Sequence, residues 1–564
     1  MGKVESRIKN SSRNIIFSVI AYIVQIILGF VVRRNFIYYF GTEYLGINSL
    51  FSNVLSILSL AELGFGSAIV FAMYKPMADG DTEKVRELLQ YYKKAYYLIG
   101  TVVFCVGLLI LPFMDYFKQQ AAGVDINLYI VYIIFLVNSV ISYFFAHRRS
   151  LLYTNQRNDI ESKVNMVLNL LSTVLQLLII FFIQNYYLYI MLLGIISLVN
   201  NVFIYFVTQK MYPEYLKKPT KQLDADYTKS INKNVKSLIY HKIGSTLVFS
   251  TDNLIIFMVL GSMVLGKYSN YQLIISYVTS FLMLIVGAIR GSVGNYIASE
   301  PVEKNNKLYS KINFIYMWIV SFCTVCIFCL SDAFIDTVLT KQDNITLVLD
   351  KEVLICLCVS FFLTCSRHIT SLYKECVGLF YQDRYKSIIE AAINLLVSIL
   401  LALQWGLIGV IIGTIVSTVV VPLWIEPFIL NKHYMHKSTT KYFLKYSVFV
   451  FATVVATMIT YFVCSKLPTG GIFVLVSKFA ICAILPNIIF LLIFAFVPEF
   501  KECVSFVKDI LFKVIGKRKV KVAVVSTKAT DVNNDGIHED GFVNIIVDTK
   551  TNELFESEIK KEQE

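Results

Sequence analysis

Phe40-Gly41-Thr42-Glu43-Tyr44-Leu45-Gly46 ends one long apolar run and opens the next, and Leu260-Gly261-Ser262-Met263-Val264-Leu265-Gly266 does the same 220 residues later. The two glycine pairs keep one spacing. Asn14 and Asn234, which open the preceding runs, keep the same offset. A membrane chain made of two related halves is the pattern of a transporter, because two lobes can rock around a site between them. The repeat therefore points to movement of a substrate rather than to anchoring.

Composition agrees with a membrane protein. The 564 residues are 56% hydrophobic and 16% charged, against about 25% charged in soluble domains. A spanning helix needs roughly 20 mostly apolar residues, and fourteen such runs are present, near 15–39, 46–73, 95–114, 127–146, 164–184, 188–208, 237–260, 268–290, 313–331, 353–372, 386–404, 407–430, 443–464 and 473–497. These lengths fit helices rather than barrel strands, since a helix satisfies its own backbone hydrogen bonds in lipid. The first run is too long for a cleavable signal peptide, and no small-residue cleavage site follows it. The expected fold is an all-α integral membrane protein.

The net charge of +13 invites a nucleic-acid reading that the distribution rejects. With an inside N-terminus, the inside segments carry clusters such as Lys3, Arg7, Lys9 and Arg13, or Lys217, Lys218, Lys221, Lys229, Lys233 and Lys236. The outside loops hold few cations, among them Lys118, Lys267 and Lys341. That is the positive-inside bias, and it puts both termini in the cytoplasm. Some of the basic charge also suits attraction to anionic lipids.

Spans 1–6 (residues 1–208) form one lobe and spans 7–12 (237–430) the other, joined by a basic cytoplasmic linker at 209–236. Six is even, so the two lobes enter the membrane with the same orientation as parallel repeats. Asn155-Gln156-Arg157-Asn158 followed by Asn169-Leu170-Leu171 is echoed by Tyr381-Gln382-Asp383-Arg384 followed by Asn394-Leu395-Leu396. Spans 13 and 14 (431–500) fall outside the repeat. Residues 501–564 form a basic, then acidic, cytoplasmic tail. Within it Asp531-Val532-Asn533-Asn534-Asp535-Gly536 matches the first half of a calcium loop, but position 12 is Phe542. A polar turn between two strands, or a flexible tail, accounts for it better.

Gly41-Thr42-Glu43-Tyr44-Leu45-Gly46, followed by Leu60-Ala61-Glu62-Leu63-Gly64-Phe65-Gly66-Ser67-Ala68, resembles the start of the bacterial polysaccharide transport family. These are the Wzx-type flippases of the multidrug/oligosaccharidyl-lipid/polysaccharide exporter superfamily. The resemblance covers roughly residues 10–500, including the layout of six, six and two spans; the acidic tail is a departure from it. It implies translocation of polyprenyl-pyrophosphate-linked oligosaccharide across the bacterial cytoplasmic membrane, in O-antigen, capsule or similar surface-polysaccharide assembly. It also implies polysaccharide polymerase and chain-length machinery as partners. Composition and spacing alone reach only a two-lobed transporter.

A charge inside the bilayer is costly, so each intramembrane ionisable group is a functional candidate. Asp252 lies well inside span 7 and is a candidate for lining the cavity and coupling an ion; the alternative is a polar pair between helices. Arg367 and His368 fall near the middle of span 10, and an arginine fork suits a pyrophosphate oxygen pair. Pairing of Arg367 with Asp252 is the structural alternative. Arg33 and Arg34 sit toward the outer end of span 1, where one faces the cavity as an anion site while the other snorkels. Glu62 in span 2 is a second ion-coupling candidate, beside small residues that permit close helix approach or local bending; packing and hydrogen bonding at that bend are the stronger alternative. Arg290, near the cytoplasmic end of span 8, is a candidate first contact for the headgroup or an interfacial anchor.

No hydrolytic constellation appears. The six histidines are scattered, and nothing pairs them with a nucleophile or a metal set. Cys323, Cys326 and Cys329 have helical spacing inside one span and read as small hydrophobes. No phosphate-binding glycine loop is present. The chain reads as neither an enzyme nor a metal or cofactor protein. Its rivals to the flippase reading are a cation-coupled multidrug exporter and a peptidoglycan-precursor flippase. A membrane-embedded polymerase or glycosyltransferase calls for a large outside loop, and the outside loops here are short.

Overall fold

The computed structural model describes residues 23–59, 65–121, 123–155, 157–340, 346–379, 382–468, 470–495, 497 and 500–505, without the side chains of 67, 158, 225, 226, 230 and 232–249. Glu62 and the calcium-like stretch lie outside the described residues. Among the described residues every regular element is a helix, as the cost of unpaired backbone groups in lipid demands.

The first half holds α1 (Ile23–Phe40), α2 (Thr42–Leu58), α3 (Phe65–Ala78), α4 (Thr82–Leu108), α5 (Met114–Gln120), α6 (Leu128–Thr154), α7 (Asn158–Leu178) and α8 (Tyr186–Met211). The second holds α9 (Ala225–Ser299), α10 (Val302–Phe334), α11 (Lys351–Cys365), α12 (His368–Val377), α13 (Lys386–Val420) and α14 (Pro422–Leu430). Helices α15 (Thr439–Ser465) and α16 (Ile472–Phe494) follow. Among the described residues, eleven helices are long and apolar enough to span a membrane. Two of these are pairs of spans joined through a glycine, at Gly261 inside α9 and Gly406 inside α13. Counted as two spans each, these bring the total among the described residues to thirteen; the apolar run 46–73 supplies α2 and α3, and its residues 60–64 lie outside the described ones. Several helices outrun their apolar cores: α4 begins at Thr82 rather than near 95, and α10 at Val302 rather than near 313. Their polar first turns extend beyond the apolar stretch.

Helix starts follow ordinary capping chemistry. The Asp81 side chain accepts from Lys84 N at 2.9 Å, Asn127 from Tyr129 N at 3.0 Å, and Asn185 from Leu188 N at 3.1 Å. Each satisfies an orphan first-turn donor. After α8 the connecting segment is tied to the start of α4. Arg86 Nε donates to Glu214 O at 2.7 Å, and Thr220 Oγ1 donates to Glu83 at 2.6 Å.

The quoted repeat sits at one end of the bundle, here called the glycine side; the opposite end, with the 209–224 connection, is the linker side. Gly41 (φ 104°, ψ 167°) and Gly261 (φ 83°, ψ 177°) adopt one conformation, in a region essentially closed to other residues. Each turns the chain from one span into the next. Just beyond them α2 and the second half of α9 cross in backbone contact. A Cβ on Gly46 would lie 2.0 Å from Ser262 O, and one on Gly266 would lie 2.1 Å from Thr42 O. Position 42 thus meets 266 while 46 meets 262. This is the reciprocal contact expected of two equivalent segments offset by 220 residues. Two rings, Phe117 and Phe257, meet edge-on nearby at 5.8 Å.

Spans 13 and 14 attach to span 9 through rings. Phe314 and Trp318 of α10 pack against Phe449 of α15 and Phe490 and Phe494 of α16. Aromatic pairs of this kind add about 0.5–1.5 kcal/mol beyond area burial. Residues Met1–Cys503 form one unit; Val504–Glu564 form a second, of which only Val504 and Ser505 fall among the described residues.

Candidate functional site

A cavity of about 820 Å³ lies between the two halves. The first half contributes Arg33 from α1 and Asn48, Ser49, Ser52 and Asn53 from α2. The second contributes Asp252, Asn253, Tyr268, Ser269, Gln272 and Thr279 from α9, Ser360 and Thr364 from α11, and Thr414 from α13. Arg33 precedes Gly41 by eight residues and Asp252 precedes Gly261 by nine. At 1.5 Å per residue both lie roughly 12–14 Å in from the glycine side, near the middle of a hydrocarbon layer about 30 Å thick.

Arg33 bridges the halves. Its Nε donates to Asn270 Oδ1 at 2.9 Å, and its Nη2 donates to Ser269 Oγ. Asn270 is fully buried. Close by, Phe30 lies edge-on to Tyr277 at 5.5 Å and to Phe334 at 4.8 Å. A guanidinium reaching across an interhelical gap in lipid needs such partners.

Asp252 is 8% exposed. Its Oδ2 accepts from Thr414 Oγ1 at 2.6 Å, and Thr414 in turn accepts from Asn394 Nδ2 at 3.1 Å. The other carboxylate oxygen, Oδ1, is buried without a hydrogen-bond partner. An unsatisfied charged group in such a place is expensive.

The other candidates fall elsewhere. Arg34, about 100° further round α1 than Arg33, is exposed. Arg290 pairs with Glu375 at 2.7 Å, with half its side chain exposed. His368 Nδ1 hydrogen-bonds Tyr316 Oη at 2.7 Å. Arg367 does not face Asp252; its Nη1 pairs with Glu426 Oε1 of α14 at 3.4 Å. Span 10 is longer than its apolar run implies, continuing through α12 to Val377. Arg367 is therefore displaced from the middle toward the linker side, about 24 Å from the start of α11.

Sequence reasoning missed the rest of that cluster. Lys386 pairs with both Glu426 and Asp383, and Lys374 with Asp383. Glu426 and Asp383 are almost wholly buried. The one signal available was Glu426 itself, the lone acid in the apolar run 407–430. Such a cluster holds the inner parts of α12, α13 and α14 together, because stripping one partner leaves a charge uncompensated. Among the described residues no group of three or more His, Cys, Asp or Glu forms a metal-ligand set.

Residues 11–289 match the family described as polysaccharide biosynthesis protein. No curated protein is a sequence match to the chain. In fold, the chain is similar to a multidrug resistance MATE family transporter of the MOP superfamily in an inward-facing conformation. The TM-score is 0.59 at 17% identity, covering 72% of this chain and 95% of that one. It is similar also to the lipid II flippase MurJ in an inward closed conformation, with a TM-score of 0.58 at 16% identity over 85% of this chain and 99% of that one. A MOP superfamily transporter from Pyrococcus furiosus, noted for the reverse polarity of its binding pocket, matches at a TM-score of 0.50 and 15% identity. It covers 74% of this chain and 95% of that one.

Proposed function

We propose that this chain, a multi-pass membrane transporter of the polysaccharide biosynthesis family and not an enzyme, is a flippase for polyprenyl-pyrophosphate-linked oligosaccharide in the bacterial cytoplasmic membrane. It serves surface-polysaccharide assembly by alternating access, with both termini and the 209–236 linker in the cytoplasm.

The observation that carries this reading is the lining of the central cavity. It combines one arginine and one carboxylate with a dense set of amides and hydroxyls. Amides and hydroxyls match the hydroxyl-rich surface of a glycan, donor to acceptor. Arg33 is the anion contact for the pyrophosphate. Asp252, with its unpartnered oxygen, takes a proton or a monovalent cation and couples the cycle to an ion gradient. The polyprenyl chain stays in lipid between helices while the glycan crosses in the hydrated cavity. Arg34, Arg290, Arg367 and His368 do not line the cavity and are assigned no direct contact there. Polymerase and chain-length proteins are the partners that would consume the product.

The test is leaflet translocation of a fluorescent polyprenyl-pyrophosphate oligosaccharide in proteoliposomes, with and without an imposed ion gradient. Protein-dependent translocation that collapses in Arg33→Ala supports the proposal. No translocation, together with efflux of cationic dyes, replaces it with a drug exporter. A second reading is a peptidoglycan-precursor flippase, favoured by the fuller coverage of this chain by the lipid II flippase fold, 85% against 72% for the multidrug transporter. The same vesicles loaded with a peptide-bearing disaccharide lipid separate the two.

A further inference from the structure

A second cavity, of about 500 Å³, lies outside the repeat, between α10, the turn Asn431–Met435, α15 and the end of α16. Its size is that of a ligand pocket, within the usual range of about 300–1,000 Å³. Its walls change character with depth. Along α10 the lining runs from Asn306 through Ser310 and Asn313 to Phe314 and Met317. Along α15 it runs from Lys441 and Lys445 to Val448 and Phe449, with Lys437 just ahead of the helix. Both helices enter from the linker side, so both walls pass from polar to apolar in the same direction. Among the described residues, three lysines line the cavity. Asn306 is 7% exposed and donates through Nδ2 to Met435 O at 3.1 Å. Its Oδ1, like that of Asn313, is buried without a hydrogen-bond partner.

We propose that this cavity binds an anionic glycerophospholipid of the linker-side leaflet. The lysines meet the phosphate, the two asparagine oxygens accept from headgroup hydroxyls, and the acyl chains run along Phe314 and Phe449. Each part answers an observation: clustered cations between helices at a membrane surface attract anionic headgroups, and stranded buried acceptors call for a donor. An amphiphile with its head at the surface fits walls graded in that direction. The site is separate from the central cavity and does not depend on what that cavity carries.

The experiment is native mass spectrometry of the purified full-length protein titrated with phosphatidylglycerol or with phosphatidylcholine of the same chains. The expected result is a first phosphatidylglycerol adduct at least about fivefold more populated than the phosphatidylcholine one, since each lysine near a headgroup phosphate adds attraction. K437Q/K441Q/K445Q should bring the ratio close to one, and the matching lysine-to-arginine variant should retain it. Should the triple variant fold poorly, Asn313→Asp, which sets a carboxylate against the phosphate, should lower the ratio by itself. Equal adducts in the unaltered protein, or a preference untouched by either the glutamine or the aspartate variant, overturn the proposal. So does displacement of the lipid by inorganic phosphate, which assigns the site to a free anion, or a stronger preference for a polyprenyl phosphate, which assigns it to the transport cargo.

Discussion

Arg33 does two things at once: it lines the central cavity and it ties α1 to α9 through Ser269 and Asn270. Hydrogen bonds to a charged group contribute about 1.5–3 kcal/mol each. Arg33→Ala is therefore expected to slow translocation roughly tenfold or more, at about 1.4 kcal/mol per factor of ten, with a smaller loss in Arg33→Lys. A proteoliposome assay checks this, and unchanged rates in both variants would remove Arg33 from the mechanism. Asp252→Asn keeps the hydrogen bond from Thr414 but removes the charge. It should abolish the response of transport to an imposed ion gradient while leaving downhill exchange measurable. Glu426 belongs to a different class. Glu426→Gln leaves Arg367 and Lys386 facing a neutral group in a buried site, at a cost of about 3–5 kcal/mol. A marked fall in the thermal midpoint in detergent is the expected reading. An unchanged midpoint would mean that water already reaches the cluster.

Among elements, the pairing of α2 with the second half of α9 controls the glycine side. Ser262 O stands where a Gly46 Cβ would go, and Thr42 O where a Gly266 Cβ would go. Gly46→Ala or Gly266→Ala must push two backbones apart. The expected outcome is an increase in spin-label distances between the halves on the glycine side, greater in the double variant. Distances that stay put would show that the helices slide rather than separate. Much of this scale was legible in the sequence. The glycine spacing marked the span junctions, and apolar length gave the number of spans, because lipid leaves the chain few alternatives. The helix ends were less legible, since polar first turns such as that of α4 extend past the apolar core. Arg33 and Asp252 were readable as costly charges. Arg367 was readable as a charge but not as a partner of Glu426. Pairing depends on which turns of α11, α12 and α14 face one another, and composition carries no information about that.

For the molecule as a whole, alternating access predicts one-sided exposure of the cavity at any moment. With the eleven native cysteines replaced, single cysteines at Ser49, Gln272 and Thr279 should react with a membrane-impermeant thiol reagent from the linker side. They should be protected from the other side, where the lobes meet at Gly46 and Gly266. Substrate or an ion gradient should move the pattern. Equal labelling from both sides would describe a pore, and the rocking mechanism would fail.

The reciprocal meeting of positions 42 and 266, and of 46 and 262, has the form of a homodimer interface closed into a single chain. Each segment is at once a surface and the surface it must fit. One inserted residue ahead of Thr42 would swing every later side chain of α2 by roughly 100° and break both contacts together. The same insertion made in both halves turns the two helices by equal amounts about a shared pseudo-axis. At this junction the tolerated unit of sequence change is a matched pair, and drift in one half constrains its counterpart 220 positions away.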